Sequence, residues 1–416
     1  MKKIFQKFLK DFSTGSGEQL SLLEPSSRTI VQSLEISGDE FPVYVNEFWT
    51  SRQRQASSLH EIAYRACFKG QLPRFFINLL SEPGDVVYDP FSGRGTTIIE
   101  AALLGRNVFS NDINPLSRIL CYPRLHIPDI TSLKERLSDI PLEEQLAADI
   151  DLSMFYHPGT EGEIVSLRNY LKERQQSGRE DDLDRWIRMV ATNRLSGHSK
   201  GFFSVYTLPP NQAVSAESQK KINEKRNQIP EYRNVKELIL RKSTSLLRTL
   251  TAVQRENLRR AAEQAIFLVE DARYTKALAK NSVKLTVTSP PFLDVVQYAR
   301  DNWLRCWFNG IEADEIASKI TMTRKINDWE NVMGDVFREL FRITRPGGWV
   351  AFEVGEVKGG KIKLEEHVVP LGLTAGFRCE AIVINQQTFT KTSNIWGVSN
   401  NSKGTNSNRI VVFRKD

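Results

Sequence analysis

The run Thr288-Ser289-Pro290-Pro291-Phe292 sets a hydroxyl, two imino acids and an aromatic ring directly after the apolar stretch Leu285-Thr286-Val287. The apolar stretch reads as a buried strand. Two consecutive prolines fix φ and remove two N–H donors, so the turn is stiff and its carbonyls point outward unpaired. A planar base could lie against Phe292 while its exocyclic amino group donates to the Pro290 carbonyl and the Ser289 hydroxyl. Taken alone, the segment reads equally well as a proline-stiffened loop with no chemistry.

A second constellation stands upstream. Asp85-Val86-Val87-Tyr88-Asp89 reads as a strand, Pro90-Phe91-Ser92-Gly93-Arg94-Gly95 as a turn, and Thr96-Thr97-Ile98-Ile99-Glu100-Ala101-Ala102-Leu103-Leu104 as a helix. Glycines at a strand-to-helix turn let the backbone approach a ligand, and the helix start offers free N–H groups. A further strand, Asn107-Val108-Phe109-Ser110, ends in Asn111-Asp112, and an acid at that tip is placed to hold ribose hydroxyls. The dinucleotide fingerprint requires a third glycine where Ile98 stands, and the Gly-Lys-Ser/Thr of a P-loop is absent. Nicotinamide and ATP sites are therefore the weaker readings.

Together the two constellations resemble the amino-group DNA methyltransferases that use S-adenosylmethionine. Asp89-Pro90-Phe91-Ser92-Gly93-Arg94-Gly95-Thr96-Thr97 is similar to their cofactor motif, which usually has Ser where Arg94 stands. Ser289-Pro290-Pro291-Phe292 is similar to their catalytic motif, and Ser at its first position goes mostly with cytosine-N4 methylation. Phe292–Arg300, Arg345-Pro346-Gly347-Gly348 and Lys403–Arg409 extend the likeness, which covers about residues 60–125 and 265–416. The resemblance implies an α/β fold, a Rossmann-like class I methyltransferase with a mainly parallel sheet. It implies S-adenosylmethionine held by Asp89, Pro90, Phe91, Gly93, Gly95, Thr96, Thr97 and Asp112, with Asp271 accepting from the cofactor's adenine amino group. It also implies a flipped cytosine in duplex DNA as substrate, no metal, and a cognate restriction endonuclease as a candidate partner. Lys69-Gly70-Gln71-Leu72-Pro73 loosely matches a Lys-Pro element near the methionine end of the cofactor in related enzymes, though a surface lysine is the preferred reading.

Other elements must position these residues. The 416 residues, 40% of them hydrophobic, suffice for one large domain with an insertion or for two domains. We expect three parts: 1–129, an N-terminal segment and the cofactor-binding half; 130–264, a helical basic insertion; and 265–416, the catalytic half. Helical patterns run over 61–80, 161–175, 181–194, 231–264 and 329–343, and strands over 348–354, 379–385 and 410–414. The last two strands are expected to form the hairpin that closes the sheet, with Thr388–Asn408 as a loop over the substrate. From Arg185 to Arg260 sixteen Lys and Arg face five acids, a composition suited to phosphate contacts, with the loop Ser196–Gln212 free to reach base edges. The alternative there is a solvated charged hairpin. Phe48-Trp49 followed by Arg52 and Arg54 reads equally as a nucleic-acid contact or a helix start.

The net charge of +7 favours an acidic partner. No run approaches the ~20 apolar residues of a membrane span. The basic, amphipathic start, Met1 to Lys10, lacks a signal peptide's apolar core and reads as a surface helix, so a cytoplasmic location is expected. The four cysteines, Cys67, Cys121, Cys306 and Cys379, show no metal-ligand spacing, and none follows a proline as the thiolate of a carbon-5 cytosine methyltransferase would. Adenine-N6 methylation, RNA methylation and a non-catalytic DNA-binding protein on the same fold remain as alternatives.

Overall fold

The computed structural model describes residues 2–13, 28–50, 56–65, 67–208, 213–291, 298–320, 325–357, 362–386 and 407–416. A nine-stranded sheet runs through the molecule. Its strands are β1 (Ile30–Ile36), β2 (Asp39–Asn46), β3 (Val86–Asp89), β4 (Asn107–Asn111), β5 (Ile266–Leu268), β6 (Val283–Thr288), β7 (Thr344–Val354), β10 (Arg378–Gln386) and β11 (Ser407–Arg414). The short strands β8 (Glu356–Val357) and β9 (Ile362–Lys363) pair separately. The order across the large sheet is β1-β2-β10-β11-β7-β6-β3-β4-β5. The block β5-β4-β3-β6-β7 is all parallel, and β11 runs antiparallel to β7 and β10. This is a doubly wound, Rossmann-like sheet closed by the expected hairpin.

The chain leaves β3 toward β4 and β5, then returns to lay β6 on the other side of β3. That reversal makes the β3/β6 boundary the switch point, and the crevice outside the strand ends there is where such sheets bind ligands. Alternating strand side chains feed two cores. Val87, Leu285 and Trp349 point to one face, covered by helices α1 (Lys2–Asp11), α2 (Gln71–Leu80), α3 (Thr96–Leu103) and α10 (Ala252–Gln264). Tyr88, Val350 and Phe352 point to the other, covered by α13 (Ile326–Ile343) and α14 (Leu364–Ala375).

Between β4 and α10 lie α4 (Pro115–Cys121), α5 (Ile130–Asp139), α6 (Pro158–Gln176), α7 (Asp182–Arg194), α8 (Ala216–Arg226) and α9 (Val235–Leu247). Asp181 and Asp184 form a reciprocal capping box on α7, and the buried Trp186 indole donates to Ser243 Oγ at 2.9 Å. The helical pattern expected over 231–264 is broken between α9 and α10, where Thr251 caps a new helix. Helix α10 packs on α3 and β4, so it belongs to the core layer and the inserted helices end before it. After β6 come α11 (Tyr298–Asn309) and α12 (Ala313–Lys319).

Several sequence expectations are corrected. Among the described residues of 61–80 only 71–80 is helical; upstream lies a turn of 3-10 helix, Ser58–His60. This stretch is instead pinned from outside, since Ser58 Oγ donates to the Leu246 carbonyl of α9 at 2.6 Å. Strands β1 and β2, not foreseen, form a hairpin on the sheet edge, with β2 parallel to β10. Phe48 and Trp49 are buried in an aromatic cluster with Phe75, so neither ring is free for a surface contact, whereas Arg52 and Arg54 lie outside the described residues. Helix α1 is a surface helix as expected, with its Phe5 ring packed 5.3 Å from that of Trp349. Among the described residues no helix is long and apolar enough to cross a membrane. The loop expected over Thr388–Asn408 lies outside the described residues except for its last two positions, which belong to β11.

Candidate active site

The turn after β3 is built by glycines that the geometry demands. Gly93 and Gly95 have φ of +51° and +77°. A Cβ on Gly95 would sit 2.2 Å from Cys121 Sγ, so a side chain is excluded by space as well as by conformation. Gly95 serves as the N-cap of α3, and no side chain caps the first-turn N–H groups there. Behind the turn, Ser92 Oγ donates to the Asp89 carbonyl at 2.9 Å and accepts from Ser110 Oγ at 2.8 Å, linking β3 to β4.

Arg94, the residue out of keeping with the usual motif, turns its side chain away from the crevice. Its guanidinium donates to the carbonyls of His60 (3.1 Å), Ile62 (2.8 Å) and Phe68 (3.4 Å), fastening these upstream residues to the turn. The buried Arg124 guanidinium donates to the Arg94 carbonyl from the other side. His60 in turn meets Glu100 at 2.7 Å, and Glu100 also accepts from Arg74. Lys69, next to Phe68 in the chain, is exposed.

Two acids border the turn. Asp112, after β4, accepts from the Gly93 N–H at 2.8 Å and from the Asn114 N–H at 2.9 Å. Burial pushes its carboxyl up to about 6, against those two hydrogen bonds. Asp89, at the end of β3, accepts from Thr288 Oγ1 at 2.7 Å and from the Phe91 N–H at 3.1 Å. Burial pushes Asp89 up to about 7. Two desolvated carboxylates at one turn suit a ligand that brings hydroxyl donors or positive charge. Asp271, beyond β5, is half-buried and holds Arg273 through both its oxygens, at 2.9 and 2.6 Å. A carboxylate so engaged keeps spare lone pairs, but its nearest donor is an arginine of its own loop. Asn111, not singled out in the sequence, bonds the Glu270 backbone in both directions at 3.0 Å and so fixes that loop to β4.

The turn after β6 lies next to the first because β6 pairs with β3, Val87 opposite Leu285. Thr288 bridges them through Asp89, and Thr97 Oγ1 donates to the Val287 carbonyl at 3.0 Å. Register with β7 sets Thr288 opposite Phe352, so the next residue, Glu353, flanks Ser289. The Ser289 hydroxyl hydrogen-bonds the Glu353 carboxylate, and Asn408 Nδ2 donates to Glu353 Oε1 at 3.0 Å. Burial raises the Glu353 carboxyl above its ordinary range despite these two donors. The Pro291 carbonyl accepts from the buried Trp329 indole of α13 at 3.0 Å. Phe292 lies outside the described residues.

The site thus brings together Asp89, Pro90, Phe91, Gly93, Gly95, Thr96, Thr97 and Asp112 on one turn and its borders, with Ser289, Pro290 and Pro291 on the neighbouring turn. Glu353 and Trp329 escaped the sequence reading. Glu353 had a signal, as the one acid in the apolar run Trp349–Val354. Among the described residues no cluster of three or more His, Cys, Asp or Glu side chains could hold a metal.

Much of the positive charge over 185–260 is already paired. Arg185 meets Asp182, Arg188 meets Glu180, Arg248 meets Glu61, and Arg259 and Arg260 meet Glu256. A cationic cluster persists around the Ser199–Phe202 loop. Arg241 donates to the Lys200 carbonyl at 3.2 Å, Arg233 to the Phe202 carbonyl at 2.8 Å, and Arg194 lies 3.9 Å over the Phe202 ring. His198 is exposed on the same loop, whereas residues 209–212 lie outside the described residues.

A family model described as DNA methylase, of the N6 and N4 type, matches residues 21–117. The Type II methyltransferase M.MjaII of Methanocaldococcus jannaschii is 32% identical over 91 residues, 22% of this chain and 17% of that protein. M.MvaI of Kocuria varians is 24% identical over 303 residues, 65% of this chain and 60% of its own length. M.BsoBI of Geobacillus stearothermophilus is 25% identical over 281 residues, 62% of this chain and 54% of its own length. The chain therefore spans less than two thirds of each of these relatives.

Proposed function

We propose that the chain, similar to amino-group DNA methyltransferases in sequence, transfers a methyl group from S-adenosylmethionine to the exocyclic N4 of a cytosine flipped out of duplex DNA. The observation that carries this reading is the adjacency of the two turns, tied by the Thr288–Asp89 hydrogen bond of 2.7 Å. A ligand on the glycine turn and a base on the Ser-Pro-Pro turn would then lie in contact.

S-adenosylmethionine fits the first turn on chemical grounds. Asp112 would accept from its ribose hydroxyls, and its cationic groups would favour the charged forms of Asp89 and Asp112, which burial alone disfavours. When bound, it supplies a methyl group already activated for displacement. The protein's task is then placement and charge management. Ser289 Oγ and the Pro290 carbonyl accept from the target amino group, which draws its lone pair out of conjugation with the ring. Trp329 holds the Pro291 carbonyl and keeps the turn from rotating. As the new N–C bond forms and the methyl–sulfur bond breaks, which would leave the neutral thioether S-adenosylhomocysteine, the amino nitrogen becomes acidic and its proton has a route through Ser289 Oγ to Glu353. A buried carboxylate with a raised pKa suits that role. The inserted helices, with Arg241, Lys200 and Arg233, are the proposed phosphate contacts. DNA affinity should then fall steeply with salt.

Nucleoside mass spectrometry of duplex DNA, after incubation with the protein and S-adenosylmethionine, tests the reading. N4-methylcytosine is the expected product. N6-methyladenine would overturn the inference from Ser289 and keep the rest. A methylated nucleoside found only with RNA would overturn the DNA assignment.

A further inference from the structure

A cavity of about 660 Å³ lies between α4, α6, α7 and the end of α11, and none of Asp89, Gly93, Asp112 or Ser289 lines it. Its size is that of a small-molecule site. One wall is apolar, formed by Pro115, Ile119, Val269 and Ile311. Val269 is 41% exposed although it directly follows a core strand, so an apolar side chain faces open space there. The other wall carries Arg118, Arg168, Lys172, Arg185 and Arg188 against a single acid, Glu180.

That acid is already committed. Glu180 meets Arg188 at 2.6 Å and Arg185 at 3.4 Å. Arg168 donates to the Trp307 carbonyl at 3.0 Å and reaches Asp149 only at 3.9 Å. Arg118 and Lys172 are exposed, and Lys172 lies in the field of Asp149, which does not line the cavity. Gln175 and Gln176 add amide donors and acceptors to the same rim. A hollow with one apolar wall, two amides and excess positive charge is complementary to an anion on a flat apolar body. The side chain of Tyr122 also lines the hollow, but its ring already lies near Arg118 and Arg185, at 5.9 and 5.5 Å, so the ligand's ring belongs against the aliphatic wall.

We propose that this cavity binds a nucleoside phosphate, with the phosphate at Arg118 and Lys172 and the heterocycle against Ile119 and Val269. The site is separate from the methyl-transfer site and does not depend on that reading. The nucleotide can be free or part of a nucleic-acid strand. The cavity also touches Phe308 and Asn309, at the end of the helix that follows the Ser-Pro-Pro turn in the chain.

Adenosine monophosphate is the probe, titrated calorimetrically into the full chain with and without saturating S-adenosylhomocysteine. The paired substitution Arg118→Glu with Lys172→Glu changes two exposed side chains and leaves the core untouched. Saturable binding should persist beside S-adenosylhomocysteine and weaken by roughly tenfold or more in the variant, as expected for lost charge-assisted hydrogen bonds. If the free nucleotide does not bind, a fluorescein-labelled DNA duplex distinguishes the second source. Weaker duplex binding by the variant, with unchanged S-adenosylhomocysteine affinity, assigns the nucleotide to a strand. Displacement of the probe by S-adenosylhomocysteine overturns the proposal. So does equal binding of both probe and duplex by the variant and the natural chain. S-adenosylhomocysteine affinity and methyl transfer, read on the same samples, report separately on the proposed enzymatic function.

Discussion

The turn after β3 carries most of its fixing devices within its own sequence, whereas the turn after β6 borrows its own from distant elements. In the first, positive φ at Gly93 and Gly95, the Ser92 hydroxyl and the Arg94 guanidinium are all local. In the second, two prolines stiffen the backbone, but Asp89, Glu353, Asn408 and Trp329 hold it from four other segments. The difference has a chemical basis. A turn that holds a cofactor repeats one geometry and can be encoded by backbone constraints. On the proposed reading, the second turn must also take a proton from the target amino group, and its acceptor comes from a neighbouring strand.

If the first turn is fixed by space, filling that space should be the most damaging single change. Gly95→Val imposes a β-branched side chain at φ +77° and a Cβ 2.2 Å from Cys121 Sγ. We expect a loss of about 4–5 kcal/mol, at the upper end for single substitutions, together with loss of S-adenosylhomocysteine binding by calorimetry. A variant that melts like the natural protein would show that the turn relaxes freely, and the contrast between the turns would vanish.

Asp89 is where the two turns meet, and its protonation offers the next test. Its carboxyl lies at about 7 in the folded chain against an ordinary 3.8, a preference for the neutral form of about 4 kcal/mol at most. Because the folded value is raised, the stability from this group is fully present below 3.8 and is lost as the pH rises through about 7. Asp89→Asn keeps an oxygen for Thr288 and Phe91 but cannot ionise. Without ligand, the variant should melt higher than the natural protein at about pH 8, with the gain fading toward about pH 4. A melting difference independent of pH would mean that Asp89 is not desolvated as the geometry implies.

A smaller effect is expected where the second turn borrows its acid. Ser289→Ala and Glu353→Gln should each lower kcat by ~10²-fold, about 2.7 kcal/mol, with S-adenosylhomocysteine affinity unchanged. If the two residues form one relay, the double variant should be little worse than the poorer single one. Activity of the natural chain should also fall with decreasing pH as Glu353 becomes protonated, and Glu353→Gln should flatten that limb. Additive losses would separate the two residues and reduce Glu353 to a packing role.

The same contrast explains what could be read in advance. Strands β3, β4, β6 and β7, the closing hairpin and the glycine turn follow from short apolar runs punctuated by Gly and Pro, which act locally. Glu353 could not be assigned to Ser289, because their meeting depends on the register of β6 against β7 across more than one helix. Strands β1 and β2 were missed because their burial patterns mix exposed and buried positions, and the Ser37–Gly38 turn between them, both residues at positive φ, is a weak signal in a polar segment. The basic excess over 185–260 was legible as composition. Its neutralisation by Glu180, Asp182, Glu256 and Glu61 was not, since Glu61 lies far upstream and Glu180 and Asp182 fall just outside the counted window.

Trp329 gives the finest test of borrowed support. Its indole N–H satisfies the Pro291 carbonyl at 3.0 Å, and its ring is buried among the helices that back the sheet. Trp329→Phe keeps most of the apolar volume and removes the donor. A lost neutral hydrogen bond is worth about 1 kcal/mol, so kcat should fall by roughly fivefold. The loss should appear in kcat and in KM for DNA, not in S-adenosylhomocysteine affinity, because the first turn makes no use of this bond. Trp329→His, which keeps a ring N–H, should recover part of the rate if the hydrogen bond is what matters. Equal losses in Phe and His variants, with a matching fall in melting temperature, would assign Trp329 to packing alone. A change in cofactor affinity would mean that the two turns are stiff as one unit, and that the division between local and borrowed support does not hold.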